Sequence, residues 1–159
     1  FPVEKWDYLL NVNVRPTFIM SQIFRPALAA SHGSIVAVSS MSGVRPHRGS
    51  GAYSPAKAAL SMLCKVIAQE WAPQGIRANA VAPGMIRTPL TKSIYENDEV
   101  TRRRIELVPL GRIGTPEDIA AVVSFLAGPD SAYVTGQVLL ADGGITDAML
   151  GLIPGLPKP

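Results

Sequence analysis

At 159 residues, 47% hydrophobic and 17% charged, the chain has the size and composition of one packed domain, which excludes disorder over most of its length. The net charge of +3 comes with one dense basic run, Arg102-Arg103-Arg104, and no interleaved aromatics, so nucleic-acid binding is not expected. A single cysteine, Cys64, and no apolar run of the roughly 18–20 residues a bilayer requires argue against a disulfide scaffold and a membrane span, and point to a cytoplasmic protein.

The chain opens on Phe1-Pro2-Val3 without an initiator methionine and enters helical spacing at once, as if cut from something longer. From residue 3 to about 30, Trp6, Leu9, Leu10, Phe18, Ile19, Ile23 and Leu28 follow a rough helical period. Pro16 and Pro26 each remove a backbone donor and crowd the preceding turn, which predicts a kinked helix or two helices. His32-Gly33 is a turn, and residues 34–39 are apolar without alternation, the pattern of a strand buried on both faces of a parallel sheet.

A Ser-, Gly- and Pro-rich loop runs from residue 40 to 51, and a long helix from about 52 to 74. Pro55 falls in its first turn, where a missing N–H costs nothing, and Gly75 stops it. Residues 77–82 read as a second strand closed by Pro83-Gly84. The stretch 85–110 carries one helix, at about 98–107. Thr115-Pro116-Glu117-Asp118 is a capping-box start for a helix ending at Ala127. Residues 136–141 make a third strand, ended by Asp142-Gly143-Gly144, and the tail holding Pro154, Pro157 and Pro159 is expected to be loose.

Strands alternating with helices give an α/β class: a Rossmann-like doubly wound parallel sheet, of which three strands with flanking helices form the C-terminal half. The glycine-rich turn that grips a dinucleotide in such folds has one near match, Gly49-Ser50-Gly51-Ala52-Tyr53-Ser54. It lacks both the third glycine and a preceding strand. Residues 1–159 are therefore expected to be a single partial domain without the N-terminal dinucleotide-binding half.

The chemistry is concentrated in Tyr53-Ser54-Pro55-Ala56-Lys57. Residues four apart at the start of a helix lie on one face, one turn apart. A phenol ordinarily ionises near pH ~10 and is a poor base at neutral pH. An ammonium about 5 Å away favours its anion by roughly 3 kcal/mol at an effective dielectric of about 20. Taken alone, Tyr-x-x-x-Lys is usually an ordinary helix surface. Here Ser40 stands at the C-terminal end of a predicted parallel strand, where open sheets bind ligands, and Asn13 stands in the interrupted first helix.

In order and spacing these residues resemble the short-chain dehydrogenase/reductase family, from about Trp6 to Thr146. Asn13 in Val12-Asn13-Val14 is similar to that family's helix asparagine, and Ser40 to its catalytic serine. Tyr53 and Lys57 match its active-site pair, at the family's offset of thirteen from the serine. Asn79-Ala80-Val81-Ala82-Pro83-Gly84 with Ile86 and Thr88 resembles its nicotinamide-side loop, and the segment from Gly136 to Gly144 its closing strand. Enoyl-reductase relatives separate the tyrosine and lysine more widely, which disfavours them.

The resemblance implies an NAD- or NADP-dependent oxidoreductase that moves hydride between nicotinamide and a small alcohol or carbonyl substrate, without metal. It implies that Tyr53 is the general acid/base, that Ser40 holds the substrate oxygen, and that Lys57 assists Tyr53 and bonds the ribose hydroxyls. It further implies that Asn13 holds a water near Lys57, and that Pro83, Gly84, Ile86 and Thr88 line the nicotinamide. A dimer or tetramer is implied for the full-length protein, assembled through the helices of residues 3–30 and 52–74. The competing expectation is a truncated, catalytically silent fragment that only oligomerises or binds a partner. Residues 42–47, Met85 and the stretch 90–110 would line the substrate pocket.

Overall fold

A computed structural model describes residues 1–152 of the chain. In chain order its elements are α1 (Val3–Asn13), α2 (Arg15–Ser31), β1 (Ser34–Val38), α3 (Tyr53–Trp71) and β2 (Arg77–Pro83). There follow α4 (Lys92–Tyr95), α5 (Asp98–Glu106), α6 (Pro116–Ala127) and β3 (Val138–Ala141). The strands form one parallel sheet in the order β1-β2-β3. Ser34 stands opposite Arg77 in the first pairing, and Ala80 opposite Val138 in the second. The expected three-stranded α/β layer is therefore present, and the proline-rich tail lies outside the described residues.

The predicted interruption of the first helix falls at Val14, which separates α1 from α2, while Pro16 occupies the tolerated first turn of α2 and Pro26 sits within it. Helix α2 ends at His32, held in the left-handed region (φ 49°), where the Gly33 N–H donates to the Leu28 carbonyl at 2.8 Å. The capping box of α6 forms as predicted: Asp118 accepts the Thr115 N–H at 2.7 Å, and two further bonds from Arg112, at 2.6 and 2.7 Å, hold it in place.

The core lies between α3 and the sheet. Ile67, Ala68, Trp71, Ile76 and Ala78 form one buried cluster, joined by Leu28, Ala29 and Ile35, and Ala37, Leu60, Cys64 and Ala80 form another. A fully buried side chain the size of isoleucine contributes about 1.5–3 kcal/mol. Cys64 is a small core hydrophobe with no exposure, and burial pushes its thiol up to about 11, against the smaller opposing effect of the Ala37 backbone. At the far end, Arg25 stacks 4.6 Å from the Trp71 ring and bonds Gln74, tying α2 to the end of α3.

Helix α6 covers the other face. The Ser34 hydroxyl donates to the Leu126 carbonyl, and the Arg77 guanidinium donates to the carbonyls of Leu126 and Gly128 and to the Ser131 hydroxyl, at 2.9–3.0 Å. A cation at a helix C-terminus neutralises its exposed carbonyls. Of the apolar period of the first two helices, Leu28 joins the core but most of the rest does not. Helix α1 buries nothing and α2 buries only Ser21, while Trp6, Phe18, Ile19 and Ile23 stay exposed.

Candidate active site

Tyr53 is the first residue of α3, and its N–H is taken by the Ser50 carbonyl at 3.0 Å. One turn on, the Lys57 ammonium lies 5.8 Å from the centre of the Tyr53 ring and donates to the Val38 carbonyl at 3.0 Å. Burial pushes the Lys57 ammonium below the ordinary lysine value, since a partly desolvated site disfavours the charged form.

The tip of β1 is bound to the same turn of α3. The buried Ser39 and Ser61 hydroxyls lie 2.8 Å from each other and 2.9 and 3.0 Å from the Lys57 carbonyl, and with one proton each they make two of these three hydrogen bonds at a time. Ser40 follows immediately and accepts the Ser42 N–H at 3.1 Å, capping the short turn Met41–Gly43. That bond uses an acceptor lone pair of the hydroxyl and leaves its proton free to donate. Ser40, Tyr53 and Lys57 thus stand on two segments fastened together.

The Asn13 amide donates to the Leu9 carbonyl at 2.9 Å, within its own helix and next to the break at Val14.

The second group follows β2. Asn79 is fully buried, donating to the Val134 carbonyl and accepting the Gln137 N–H, and so ties β2 to the approach of β3. The Gly84 N–H donates to Ala141 at 3.0 Å, which places Pro83-Gly84 against the end of β3. Beyond it, Ile86 and Gly114 form a parallel bridge, in which the Arg87 N–H donates to the Gly114 carbonyl at 2.8 Å and the Gly114 N–H to the Met85 carbonyl at 3.0 Å. In a parallel bridge the central residue turns its own N–H away from the partner. The Ile86 carbonyl accepts the Thr91 hydroxyl at 2.8 Å, and the Ile86 N–H has no partner among the described residues. A fixed, unpaired backbone donor beside Pro83-Gly84 fits the carboxamide oxygen of a nicotinamide. Thr88 is engaged locally: it and Thr91 cap the turn Pro89–Thr91 reciprocally, a role the sequence reading missed although the Thr-x-x-Thr spacing signals it.

Met85 and Ile86 also line a cavity of about 520 Å³ with Leu110, Arg112, Leu140 and Asp142. Its lining includes neither Ser40 nor Tyr53. Tyr95, within the stretch expected to line the substrate pocket, is buried, with the guanidiniums of Arg87 and Arg104 against its ring at 5.1 and 5.6 Å.

Residues 1–146 match the family model described as enoyl-(acyl carrier protein) reductase. The chain is 41% identical over 147 residues to a tropinone reductase homolog of Arabidopsis thaliana, covering 92% of this chain and 55% of the relative. It is 43% identical over 143 residues to the 3-oxoacyl-(acyl-carrier-protein) reductase FabG of Thermotoga maritima, covering 89% and 57% respectively.

The chain belongs to the short-chain dehydrogenase/reductase family. Among solved structures, a gluconate 5-dehydrogenase of Burkholderia cenocepacia in complex with NADP and tartrate superposes with a TM-score of 0.86 at 30% identity, over 93% of this chain and 58% of that one. The chain spans little more than half the length of these short-chain dehydrogenase/reductase relatives. The Rossmann-like fold expected from the strand and helix order is theirs. The model's description sets the family and not the reaction: within this chain Tyr53 and Lys57 are four residues apart, and the two relatives named above are a tropinone reductase homolog and a 3-oxoacyl reductase.

Proposed function

We propose that these residues are the catalytic half of an oxidoreductase that interconverts an alcohol and a carbonyl compound using NAD or NADP, with Tyr53 as general acid/base. The observation that carries this is the placement of the Lys57 ammonium 5.8 Å from the Tyr53 ring, on a turn fastened to the strand tip that bears Ser40. An NADP-bound relative of the same fold and the unpaired Ile86 N–H support the cofactor.

When bound, the nicotinamide accepts or supplies the hydride. In the reducing direction Tyr53 donates its phenolic proton to the substrate oxygen, and in the oxidising direction it removes the hydroxyl proton. The free Ser40 proton holds that oxygen in place. Lys57 favours the phenolate by its charge, and as it leaves the Val38 carbonyl it can reach the ribose hydroxyls. Pro83, Gly84 and Ile86 form the wall against the ring, and the Thr88 hydroxyl joins them by turning its proton away from the Thr91 hydroxyl, 3.2 Å from it. Asn13, beside the helix break, orders a water that links Lys57 to solvent. The dinucleotide is gripped by a half-domain outside these 159 residues, and the complete protein works in the cytoplasm on a small hydroxyl or oxo substrate.

A polypeptide that joins this chain to a dinucleotide-binding half tests the proposal. It is expected to oxidise NADPH or NADH in the presence of small ketones, and silence across a broad carbonyl panel with both cofactors would refute it.

One observation favours the second possibility, a module for assembly. Large apolar residues on α2 and α3 are solvent-exposed, with Phe18 at 48%, Ile23 at 63% and Met62 at 57%. These helices are also the surface through which a full-length dimer or tetramer would associate. Sedimentation of the isolated chain distinguishes them: an associating chain without cofactor affinity, and no activity in the joined protein, would favour the silent module.

A further inference from the structure

The stretch after β2 is rich in arginine, and most of its cations are spoken for. Arg102 pairs with Glu106, Arg103 with Glu99 and Arg112 with Asp118. Arg87 and Arg104 have no carboxylate within ion-pair distance among the described residues. Both are turned instead onto one ring. The Arg87 guanidinium carbon lies 5.1 Å from the centre of Tyr95, and that of Arg104 lies 5.6 Å from it with a nitrogen 3.5 Å from the Tyr95 hydroxyl. Tyr95 is only 5% exposed, so the ring is a fixed platform.

Three separate elements contribute: the loop after β2, α4 and α5. The loop carries Arg87 between Ile86 and Thr88, and the Arg87 N–H is anchored on Gly114, so the origin of this side chain is rigid. Gathering two like charges on one buried ring is unfavourable by itself. The cation–π attraction that offsets it leaves the forked donors of both guanidiniums without a further partner among the described residues, beyond the Arg104 nitrogen turned to the Tyr95 hydroxyl. Such edges match the two oxygens of a carboxylate or phosphate.

We propose that Arg87, Tyr95 and Arg104 form a subsite for an oxyanion, and that it takes the carboxylate or phosphate carried by the substrate at a distance from its reacting oxygen. This rests on the assignment of Ile86 and Thr88 to the nicotinamide side of the site, since Arg87 stands between them. It narrows the substrate to an anionic hydroxyl or oxo compound. Its test, however, needs neither cofactor nor turnover.

Malonate and inorganic phosphate serve as probes, titrated separately into the chain at constant ionic strength while the arginine side-chain N–H resonances are followed by NMR. Saturable shifts of the Arg87 and Arg104 signals are expected. R87Q and R104Q should each weaken binding at least tenfold, with the amide spectrum otherwise preserved. R102Q, which removes an equal charge from the same helix as Arg104 without touching Tyr95, should change affinity less than twofold. Tighter binding of malonate identifies a carboxylate as the ligand group, and tighter binding of phosphate a phosphoryl group. Equal weakening by all three variants, which would signify only a diffuse positive field, overturns the subsite. So does the absence of saturation with either probe. Because hydride transfer is measured independently, activity without anion binding removes the subsite alone, whereas anion binding in a joined protein without activity removes the enzymatic assignment alone.

Discussion

Gly43 lies so close to Lys57 that a β-carbon built on it would stand 2.7 Å from the Lys57 carbonyl carbon and 2.9 Å from the next nitrogen. Real β-carbons do not approach backbone at that distance. The turn that carries Ser40 can therefore rest on the first turn of α3 only with glycine at this position. Gly43→Ala is expected to push residues 40–43 off the helix and separate Ser40 from Tyr53. In the joined protein kcat should fall at least tenfold while the melting temperature drops by only a few degrees, as about 1 kcal/mol of strain implies. Unchanged kcat would mean that the contact does not position the site.

Arg77 should matter for folding and not for chemistry. Its guanidinium collects carbonyls at the end of α6 and the Ser131 hydroxyl, and hydrogen bonds to a charged group contribute about 1.5–3 kcal/mol. Arg77→Met is expected to lower unfolding free energy by about 3 kcal/mol in urea titrations. A loss below about 0.5 kcal/mol would show these bonds to be no better than those to water.

Two titratable groups on α3, the buried Cys64 and the half-buried Lys57, bend the alkaline stability curve in opposite directions. Cys64 ionises near 9.0 when unfolded and at about 11 when buried. Between those values the unfolded chain holds fewer protons than the folded one, so stability falls as pH rises. Lys57, lowered from 10.5, gives up its proton earlier in the folded state, so the unfolded chain holds more and stability rises with pH up to about that value. Cys64→Ala should remove the fall and Lys57→Met the rise. Parallel curves for wild type and either variant above pH 9.0 would contradict the corresponding assignment.

Cys64 should also resist alkylation. With no exposed surface and a thiol raised to about 11, it is expected to react with iodoacetamide at mildly alkaline pH only after denaturation, as read by mass spectrometry. Prompt labelling of the native chain would show that α3 does not close over the sheet.

Much of this architecture is legible in the sequence because local physics decides it. The Thr115-Pro116-Glu117-Asp118 start of α6 and the four-residue spacing of Tyr53 and Lys57 hold whatever the rest of the chain does. The strand of residues 34–39 is legible as a short apolar run, but the burial on both faces expected of it is not met: β1 is the edge of the sheet, and only Ala37 in it is buried while Val38 is exposed. The apolar stripe of the first helices is ambiguous in kind. A face meant for the chain's own core and a face meant for another surface have the same periodicity, and here Trp6, Phe18 and Ile23 remain uncovered. Arg77 and Asn79 find their partners some fifty residues away, beyond any local pattern. The cluster on Tyr95 likewise joins three elements that only the fold brings together. The role the resemblance implies for Asn13, holding a water near Lys57, has no local signal either, and among the described residues its side chain bonds Leu9 within its own helix.

The central claim is that Tyr53 exchanges the proton while Lys57 assists it. The most direct measurement is single-turnover hydride transfer in the joined protein, comparing wild type with Tyr53→Phe and Lys57→Met at matched cofactor saturation. A loss of at least a thousandfold for Tyr53→Phe, with a smaller loss for Lys57→Met, is expected. Hydride transfer undiminished by Tyr53→Phe would contradict the account.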